Sequence, residues 1–154
     1  MIILTRVDHR LLHGQVAFSW KQSLGADSIL IANDDAMNNE LRKTSIKLAK
    51  PQGVKLVIKS IDDAIDAINS GVTDKYRLFV IVETIADAVK MAEACDQIQH
   101  INIGGTKPND QTRSISKTVY VTDDDIKNLK ELKKLGKEIE IRQVPSDKKI
   151  DPLK

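Results

Sequence analysis

Short aliphatic runs alternate with longer amphipathic stretches from one end of the chain to the other. The runs cover residues 2–6, 28–32, 55–58, 78–82, 101–103, 118–121 and 138–141. Several are nearly continuous Ile, Val and Leu, which is typical of strands covered on both faces. The alternation predicts an α/β fold, a three-layer α/β/α sandwich around a mainly parallel central sheet. A chain of 154 residues is short enough to keep one core, so we expect residues 1–154 to form a single domain.

The late part of the chain departs from this regular pattern. The run at 118–121 follows the run at 101–103 too closely for a helical crossover, so we expect an antiparallel strand at an edge of the sheet. The irregular sequence GGTKPND at residues 104–110 predicts a loop between the two. Three helix starts are marked by a Ser or Thr with an Asp three positions on, at Ser60, Thr84 and Thr122.

Composition excludes several classes of function. Lys and Arg number 24 against 22 Asp and Glu, so the chain has no broad basic field, and we expect no nucleic-acid partner. Cys95 is the single cysteine, which excludes an internal disulfide and a thiolate metal cluster. No apolar run reaches the roughly 18 residues of a membrane span. The start, MIILTR, is charged too early for a secretory signal. We therefore expect a soluble cytoplasmic protein.

Nucleotide and metal signatures are missing from the sequence. No G-x-G-x-x-G follows the first strand, and no G-x-x-x-x-G-K-[ST], H-E-x-x-H or C-x-x-C is present. We expect neither a cofactor nor a metal ion. Any phosphoryl transfer would then draw its phosphate from another protein.

The segment after the first predicted strand is the richest in chemistry. Ligands of parallel sheets bind beyond the carboxyl ends of the strands, and there the chain reads RVDHRLLHGQ, residues 6–15. His13 precedes an amphipathic stretch and would stand at a helix N-terminus, where an anion is favoured. Arg6 and Arg10 add positive charge that suits phosphate oxygens. Asp8 could accept a hydrogen bond from one imidazole nitrogen and leave the other as a nucleophile.

These residue types predict a histidine that accepts a phosphoryl group, but other interpretations remain open. A single His at a helix start is more often a cap or a packing residue. His9 and His100 lack comparable neighbours in the sequence, and we expect structural or solvated roles for both.

The run RVDHRLLHGQV, residues 6–16, resembles the signature around the active histidine of enzyme IIB proteins. These proteins belong to the mannose/fructose/sorbose class, which includes N-acetylgalactosamine systems, of the phosphoenolpyruvate-dependent sugar phosphotransferase system. The resemblance covers the whole chain. It extends to Asn33-Asp34, to residues 115–117 and to the sequence RQVPSD at 142–147.

The resemblance implies a specific activity, that of a protein-N(pi)-phosphohistidine–sugar phosphotransferase. His13 would take a phosphoryl group on Nδ1 from phosphorylated IIA and pass it to a sugar at the membrane components IIC and IID. Arg10 would clamp the phosphoryl oxygens and Asp8 would orient the ring or the loop. Gly14 and Gln15 would supply N–H groups at the helix start. The protein would be cytoplasmic and transiently associated with the inner face of the membrane.

Two other functions fit parts of the sequence. A two-component receiver shares the α/β alternation, and Lys107-Pro108 and Thr84 resemble its switch residues. A receiver needs an acceptor aspartate after the third strand, however, where this chain has Lys59-Ser60. The second alternative is a non-catalytic module that binds a phosphometabolite at the helix start, with His13 as a hydrogen-bond donor only.

Overall fold

A computed structural model describes all 154 residues of the chain. The strands are β1 (Ile2–Asp8), β2 (Ser28–Ala32), β3 (Lys55–Lys59), β4 (Leu78–Val82), β5 (His100–Gly105), β6 (Arg113–Ser114), β7 (Tyr120–Val121) and β8 (Glu138–Ile141). The helices are α1 (Gly14–Leu24), α2 (Asp34–Asn38), α3 (Glu40–Leu48), α4 (Ile61–Asn69), α5 (Ile85–Ala94) and α6 (Asp123–Lys134).

Six of the strands form one sheet in the order β3-β2-β4-β1-β5-β8, and every neighbouring pair is parallel. β2 and β4 are buried along their whole length, as expected for strands with helices on both faces. The predicted three-layer α/β fold with a mainly parallel sheet is therefore confirmed.

The two faces of the sheet carry separate hydrophobic clusters. The larger cluster, of 23 buried residues, packs α4, α5 and α6 against one face. The smaller cluster, of 13 buried residues, packs α1, α2 and α3 against the other, with Trp20 as its largest side chain. β1 and β5 are neighbours, yet the chain leaves β1 for α1 on one face and leaves β5 for α6 on the other. Such a switch in direction opens a crevice at the carboxyl ends of the two strands.

The three predicted helix starts are confirmed in detail. The side chains of Ser60, Thr84 and Thr122 each accept a hydrogen bond from the backbone N–H three residues on. Thr122 and Asp125 form a reciprocal capping box.

The late strand is antiparallel, as predicted, but its predicted place at an edge of the central sheet is wrong. β7 pairs with β6 in a separate two-stranded hairpin, and the edges of the central sheet are β3 and β8. The Thr106 hydroxyl accepts a hydrogen bond from the Tyr120 N–H and donates one to the Tyr120 carbonyl, which anchors the hairpin beyond the end of β5. The predicted loop also begins later than expected, because Gly104 and Gly105 are buried residues of β5.

Candidate functional site

A cavity of about 230 Å³ lies at the crevice between β1 and β5. Its walls come from three parts of the chain: the end of β1 with the following loop, the end of β5, and the hairpin with the segment after β8. The lining residues are Arg6, Asp8, His9, Arg10, His13, Gly104, Gly105, Thr106, Pro108, Thr118, Tyr120 and Gln143. The structure thus brings four of the six predicted site residues together. Gly14 and Gln15 do not line the cavity and are exposed at the start of α1.

The loop between β1 and α1 is held in a tight turn by Asp8. The Asp8 side chain accepts a hydrogen bond from the Arg10 N–H at 2.9 Å, and the Asp8 carbonyl accepts one from Leu11. Leu11 has a φ of 58°, a conformation that costs energy for a residue with a Cβ. Its side chain is 2% exposed within the smaller cluster, so core packing compensates for that cost. This anchored turn places His13 at the N-cap of α1.

His13 pairs with Asp8 through one ring nitrogen only. His13 Nε2 lies 2.9 Å from Asp8 Oδ2, and the carboxylate is 4% exposed. Burial alone would raise the pKa of the Asp8 carboxyl, but the hydrogen bond from His13 and the charge of Arg6 outweigh it and hold the pKa below its usual value. An ionised carboxylate can only accept, so a neutral His13 carries its proton on Nε2. The lone pair is then on Nδ1, which has no hydrogen-bond partner in the chain.

Arg6 lies beneath the cavity and is buried by its own partners. Its Nε and Nη2 donate to Asp8 Oδ2, and its Nη1 donates to Asn102 Oδ1 and to the Arg142 carbonyl. The side chain is 3% exposed, and its guanidinium carbon lies 5.4 Å from the centroid of the Trp20 ring. Four of its five N–H groups serve internal partners, which suits a residue that fixes Asp8 better than one that grips a phosphate.

Gly104 makes room for this buried arginine. A Cβ at position 104 would overlap the Arg6 guanidinium, whereas a Cβ at Gly105 would meet its nearest atom, in His9, at 3.5 Å. The two adjacent glycines therefore differ in function, since only the first is required by the packing of Arg6. The sequence pattern alone predicts a loop for both residues and gives no sign of this requirement.

The sequence alone also does not predict the polar contacts along β5 and β8, of which those made by Asn102 and by the Arg142 carbonyl reach Arg6. Asn102 is fully buried opposite Arg6 in the sheet register, and its Nδ2 donates to the Arg142 carbonyl. Glu140 accepts two hydrogen bonds from the Arg142 guanidinium and pairs with His100 Nε2 at 2.7 Å. Polar residues at alternate positions of otherwise aliphatic strands were the available signal.

Arg10 is the arginine of the cavity that has no partner. Its side chain is exposed and makes no hydrogen bond within the chain, although its backbone N–H is held by Asp8. The start of α1 beside it is also open. α1 has no side-chain cap and no acidic residue in its first turn, while each of the other five helices has both. An anion near this end of α1 would meet a positive dipole and no competing carboxylate of the helix.

Three other residues singled out in the sequence, Asn33, Asp34 and Cys95, have structural positions. Asn33 caps α2, and Asp34 Oδ1 accepts a hydrogen bond from the Ile61 N–H. Cys95 is buried in the larger cluster. His9 lies in the wall of the cavity with its Nδ1 buried and unpaired. No three His, Cys, Asp or Glu side chains of the chain converge in a way that could hold a metal ion. None of the helices has the length and apolar character needed to cross a bilayer.

Comparisons with known proteins agree on one family. Residues 2–154 match the family model of the PTS system sorbose subfamily IIB component. The chain is 35% identical to the fructose-specific EIIB component of Bacillus subtilis, with 97% of this chain and 92% of that protein covered. It is 28% identical to the mannose-specific EIIAB component of Escherichia coli. That match covers 97% of this chain and 46% of the EIIAB component.

A solved structure shows the same fold. The IIBSor domain of the sorbose permease from Klebsiella pneumoniae superposes with a TM-score of 0.94 at 33% identity, covering 99% of this chain and 94% of that one. The chain therefore belongs to the sorbose family of IIB components of the sugar phosphotransferase system, proteins of the phosphotransferase type.

Proposed function

We propose that this chain is a phosphoryl carrier in which His13 Nδ1 takes a phosphoryl group from phosphorylated IIA and passes it to an incoming sugar. The observation that carries the proposal is the pairing of His13 Nε2 with the Asp8 carboxylate at 2.9 Å. That pairing leaves the Nδ1 lone pair available beside a cavity, an unpaired arginine and an open helix start.

In the first transfer, the Nδ1 lone pair attacks the phosphorus of the donor phosphohistidine. The new N–P bond forms as the donor N–P bond breaks, and the donor imidazole keeps that electron pair. The proton on Nε2 stays in place, so the phosphorylated ring becomes cationic. The Asp8 carboxylate then faces this positive charge and stabilises the phosphorylated state. Arg6 acts through Asp8 by holding its carboxylate in place.

In the second transfer, a sugar hydroxyl attacks the same phosphorus and the electron pair of the N–P bond returns to Nδ1. The hydroxyl proton leaves to a base of the membrane partner or to water. Charge on the phosphoryl oxygens is met by Arg10, whose planar guanidinium can donate two parallel hydrogen bonds. The backbone N–H groups of Gly14 and Gln15, at the positive end of the α1 dipole, also stabilise the negative charge of the phosphoryl group. Neither transfer requires a metal ion or a nucleotide.

The partners follow from this chemistry and from the relatives. The relative in Escherichia coli is named a mannose-specific EIIAB component, which supports a IIA protein or domain as the phosphoryl donor. Relatives named for fructose, sorbose and N-acetylgalactosamine support a sugar as the acceptor. We place the protein in the cytoplasm, in transient contact with IIC and IID at the inner face of the membrane.

The receiver alternative lacks its acceptor residue. β3 ends at Lys59, and the next residue, Ser60, caps α4, so no aspartate stands at the end of that strand. Nothing in the site favours the receiver over the phosphohistidine chemistry.

Phosphate uptake by single histidine variants tests the proposal. We expect His13→Ala to abolish labelling by phosphorylated IIA, while His9→Ala and His100→Ala retain it. The label should be stable to base and labile to acid, as a phosphoramidate is, whereas an acyl phosphate is lost in base. Labelling that survives His13→Ala, or wild-type protein that takes up no phosphate, would overturn the proposal.

A further inference from the structure

The proposed phosphoryl group on His13 would bring three oxygens, which share up to two negative charges, to a cavity of about 230 Å³. Each oxygen accepts hydrogen bonds, and a buried charge without donors is costly. Lining side chains that already have hydrogen-bond partners are not free to bind the phosphoryl oxygens, so the donors are the lining side chains that have none. Arg6 makes four internal hydrogen bonds, and the Thr106 hydroxyl is paired with both backbone groups of Tyr120. Neither can turn to a ligand without breaking these contacts.

Besides Arg10 and His9, two more polar side chains of the same cavity have no partner in the chain. The Thr118 hydroxyl makes no hydrogen bond, although its backbone is fixed on both sides. The Thr118 N–H faces Ser116 Oγ at 3.4 Å, and the Thr118 carbonyl accepts a hydrogen bond from Thr106 at 3.0 Å. The Gln143 carboxamide is also unpaired, while the Gln143 carbonyl accepts the indole N–H of Trp20 at 2.9 Å. Both backbones are anchored and both side chains retain their donors.

We propose that the Thr118 hydroxyl and the Gln143 carboxamide donate hydrogen bonds to the phosphoryl oxygens on His13. Thr118 belongs to the segment before β7 and Gln143 to the segment after β8. Together with Arg10 and the N–H groups at the start of α1, they form the set of hydrogen-bond donors for the phosphoryl group. This inference rests on the proposed phosphorylation of His13. It assigns a phosphoryl-binding role to residues more than one hundred positions away from the loop in the sequence.

The local structure around each residue is consistent with this role. Ser116 Oγ accepts from both Thr118 and Val119, so the short segment before β7 is shaped by a side chain of its own. After β8, Arg142 Nη1 donates to the Pro145 carbonyl and Asp147 Oδ2 accepts from Val144. These contacts hold the two segments that border the cavity. They also account for the residues at 115–117 and 142–147. The chemistry of His13 alone does not explain why the chain carries those residues.

Substitutions that remove one donor group at a time test the inference on the whole chain. The probe is phosphoramidate, a small phosphoryl donor that needs no protein partner, and the signal is phosphohistidine measured by ³¹P NMR. A hydrogen bond to a charged group corresponds to roughly a tenfold to hundredfold change in rate or equilibrium. We therefore expect Thr118→Val to slow phosphorylation at least about tenfold, and Thr118→Ser, which keeps the hydroxyl, to stay within about twofold of wild type. Gln143→Leu should also be slower by about tenfold.

The ³¹P resonance provides a readout that a purely structural role would not move. Loss of a donor raises the pKa of the phosphoryl group, because hydrogen bonds to the charged form favour that form. The midpoint of the ³¹P titration should therefore rise in Thr118→Val and Gln143→Leu. Gln52→Leu is the matched control, since Gln52 is exposed and lies before β3, at the other end of the sheet. It should match wild type in rate and in titration.

The outcomes separate this inference from the proposed function. If wild-type protein acquires no phosphohistidine at His13, the proposed function and this inference both fail. If wild-type protein is phosphorylated but Thr118→Val and Gln143→Leu keep its rate and its ³¹P titration, only this inference is overturned. Should Thr118→Val fail to fold, Gln143→Leu decides the question, because the Gln143 side chain is exposed and supports no part of the core.

Discussion

His13 and His100 occupy closely similar local environments at opposite ends of the sheet. His13 Nε2 lies 2.9 Å from Asp8 Oδ2, and His100 Nε2 lies 2.7 Å from Glu140 Oε1. Both carboxylate side chains are 4% exposed. Each of those carboxylates also binds an arginine, Arg6 or Arg142. In both carboxyls burial alone would raise the pKa, but the hydrogen bonds and charges of these partners hold it below the usual value.

The two histidines differ at their other ring nitrogen. His100 Nδ1 lies 3.5 Å from Glu138 Oε2, so both of its nitrogens face carboxylates. His13 Nδ1 has no partner and lies beside the cavity at the start of α1. If His13 is the phosphoryl acceptor, as proposed, a carboxylate–imidazole pair is not enough to define one. The second nitrogen must be unblocked and must face positive groups, because an incoming phosphoryl group is anionic and carboxylates would repel it.

Replacing the two carboxylates gives the largest expected difference between the two sites. Asp8→Asn removes the charge that faces the phosphorylated ring and should slow phosphate uptake at least about 100-fold. Glu140→Gln should leave uptake within about twofold of wild type, but it breaks a buried ion pair and should lower the free energy of unfolding by about 3 kcal/mol. Uptake assays with phosphorylated IIA and urea unfolding measure the two effects. Equal losses of uptake in both variants would show that the two histidines are not functionally distinct.

The two adjacent glycines of β5 give the next effect. Gly104→Ala should displace Arg6 and so disturb Asp8, with uptake reduced about tenfold and the free energy of unfolding lowered by about 2 kcal/mol. Gly105→Ala serves as the control and should behave like wild type, because its Cβ would make ordinary contacts only. Wild-type uptake in Gly104→Ala would mean that the position of Arg6 does not matter to the chemistry.

The smallest expected effect comes from the unpaired arginine, which the His100 site lacks. Arg10→Lys keeps the charge but loses the planar pair of donors, so transfer should slow by roughly fivefold to tenfold with the fold unchanged. Rapid-quench measurement of transfer from phosphorylated IIA follows the rate, and thermal unfolding checks the fold. An unchanged rate would indicate that Arg10 is only solvated and that other donors meet the phosphoryl charge.

Much of the fold was predictable because its information is local. Aliphatic runs located the six strands of the central sheet, and the capping residues Ser60, Thr84 and Thr122 located three helix starts. The site segment of residues 6–15 was also predictable, since Asp8 and His13 are only five positions apart, although β1 extends to Asp8 and the loop itself covers only residues 9–13.

The rest depends on partners that are distant in the sequence. Arg6 donates a hydrogen bond to Asn102, which is 96 positions away in the sequence. The sequence near either residue does not indicate that β1 and β5 are neighbouring strands. The burial of Arg6, the need for Gly104 and the arrival of Thr118 and Gln143 at the cavity all follow from that strand order. The hairpin was misplaced for a similar reason, because its anchor is the Thr106 hydroxyl and not the edge of the central sheet.

The position of the phosphoryl group on the ring tests the central claim most directly. The protein is prepared with ¹⁵N-labelled histidine and phosphorylated by IIA, and ¹⁵N and ³¹P NMR then identify the modified nitrogen. We predict a phosphorus–nitrogen coupling at Nδ1 of His13, with Nε2 still protonated and bonded to Asp8. Phosphate on Nε2 of His13, or on His9 or His100, would contradict the proposed role of the Asp8–His13 pair.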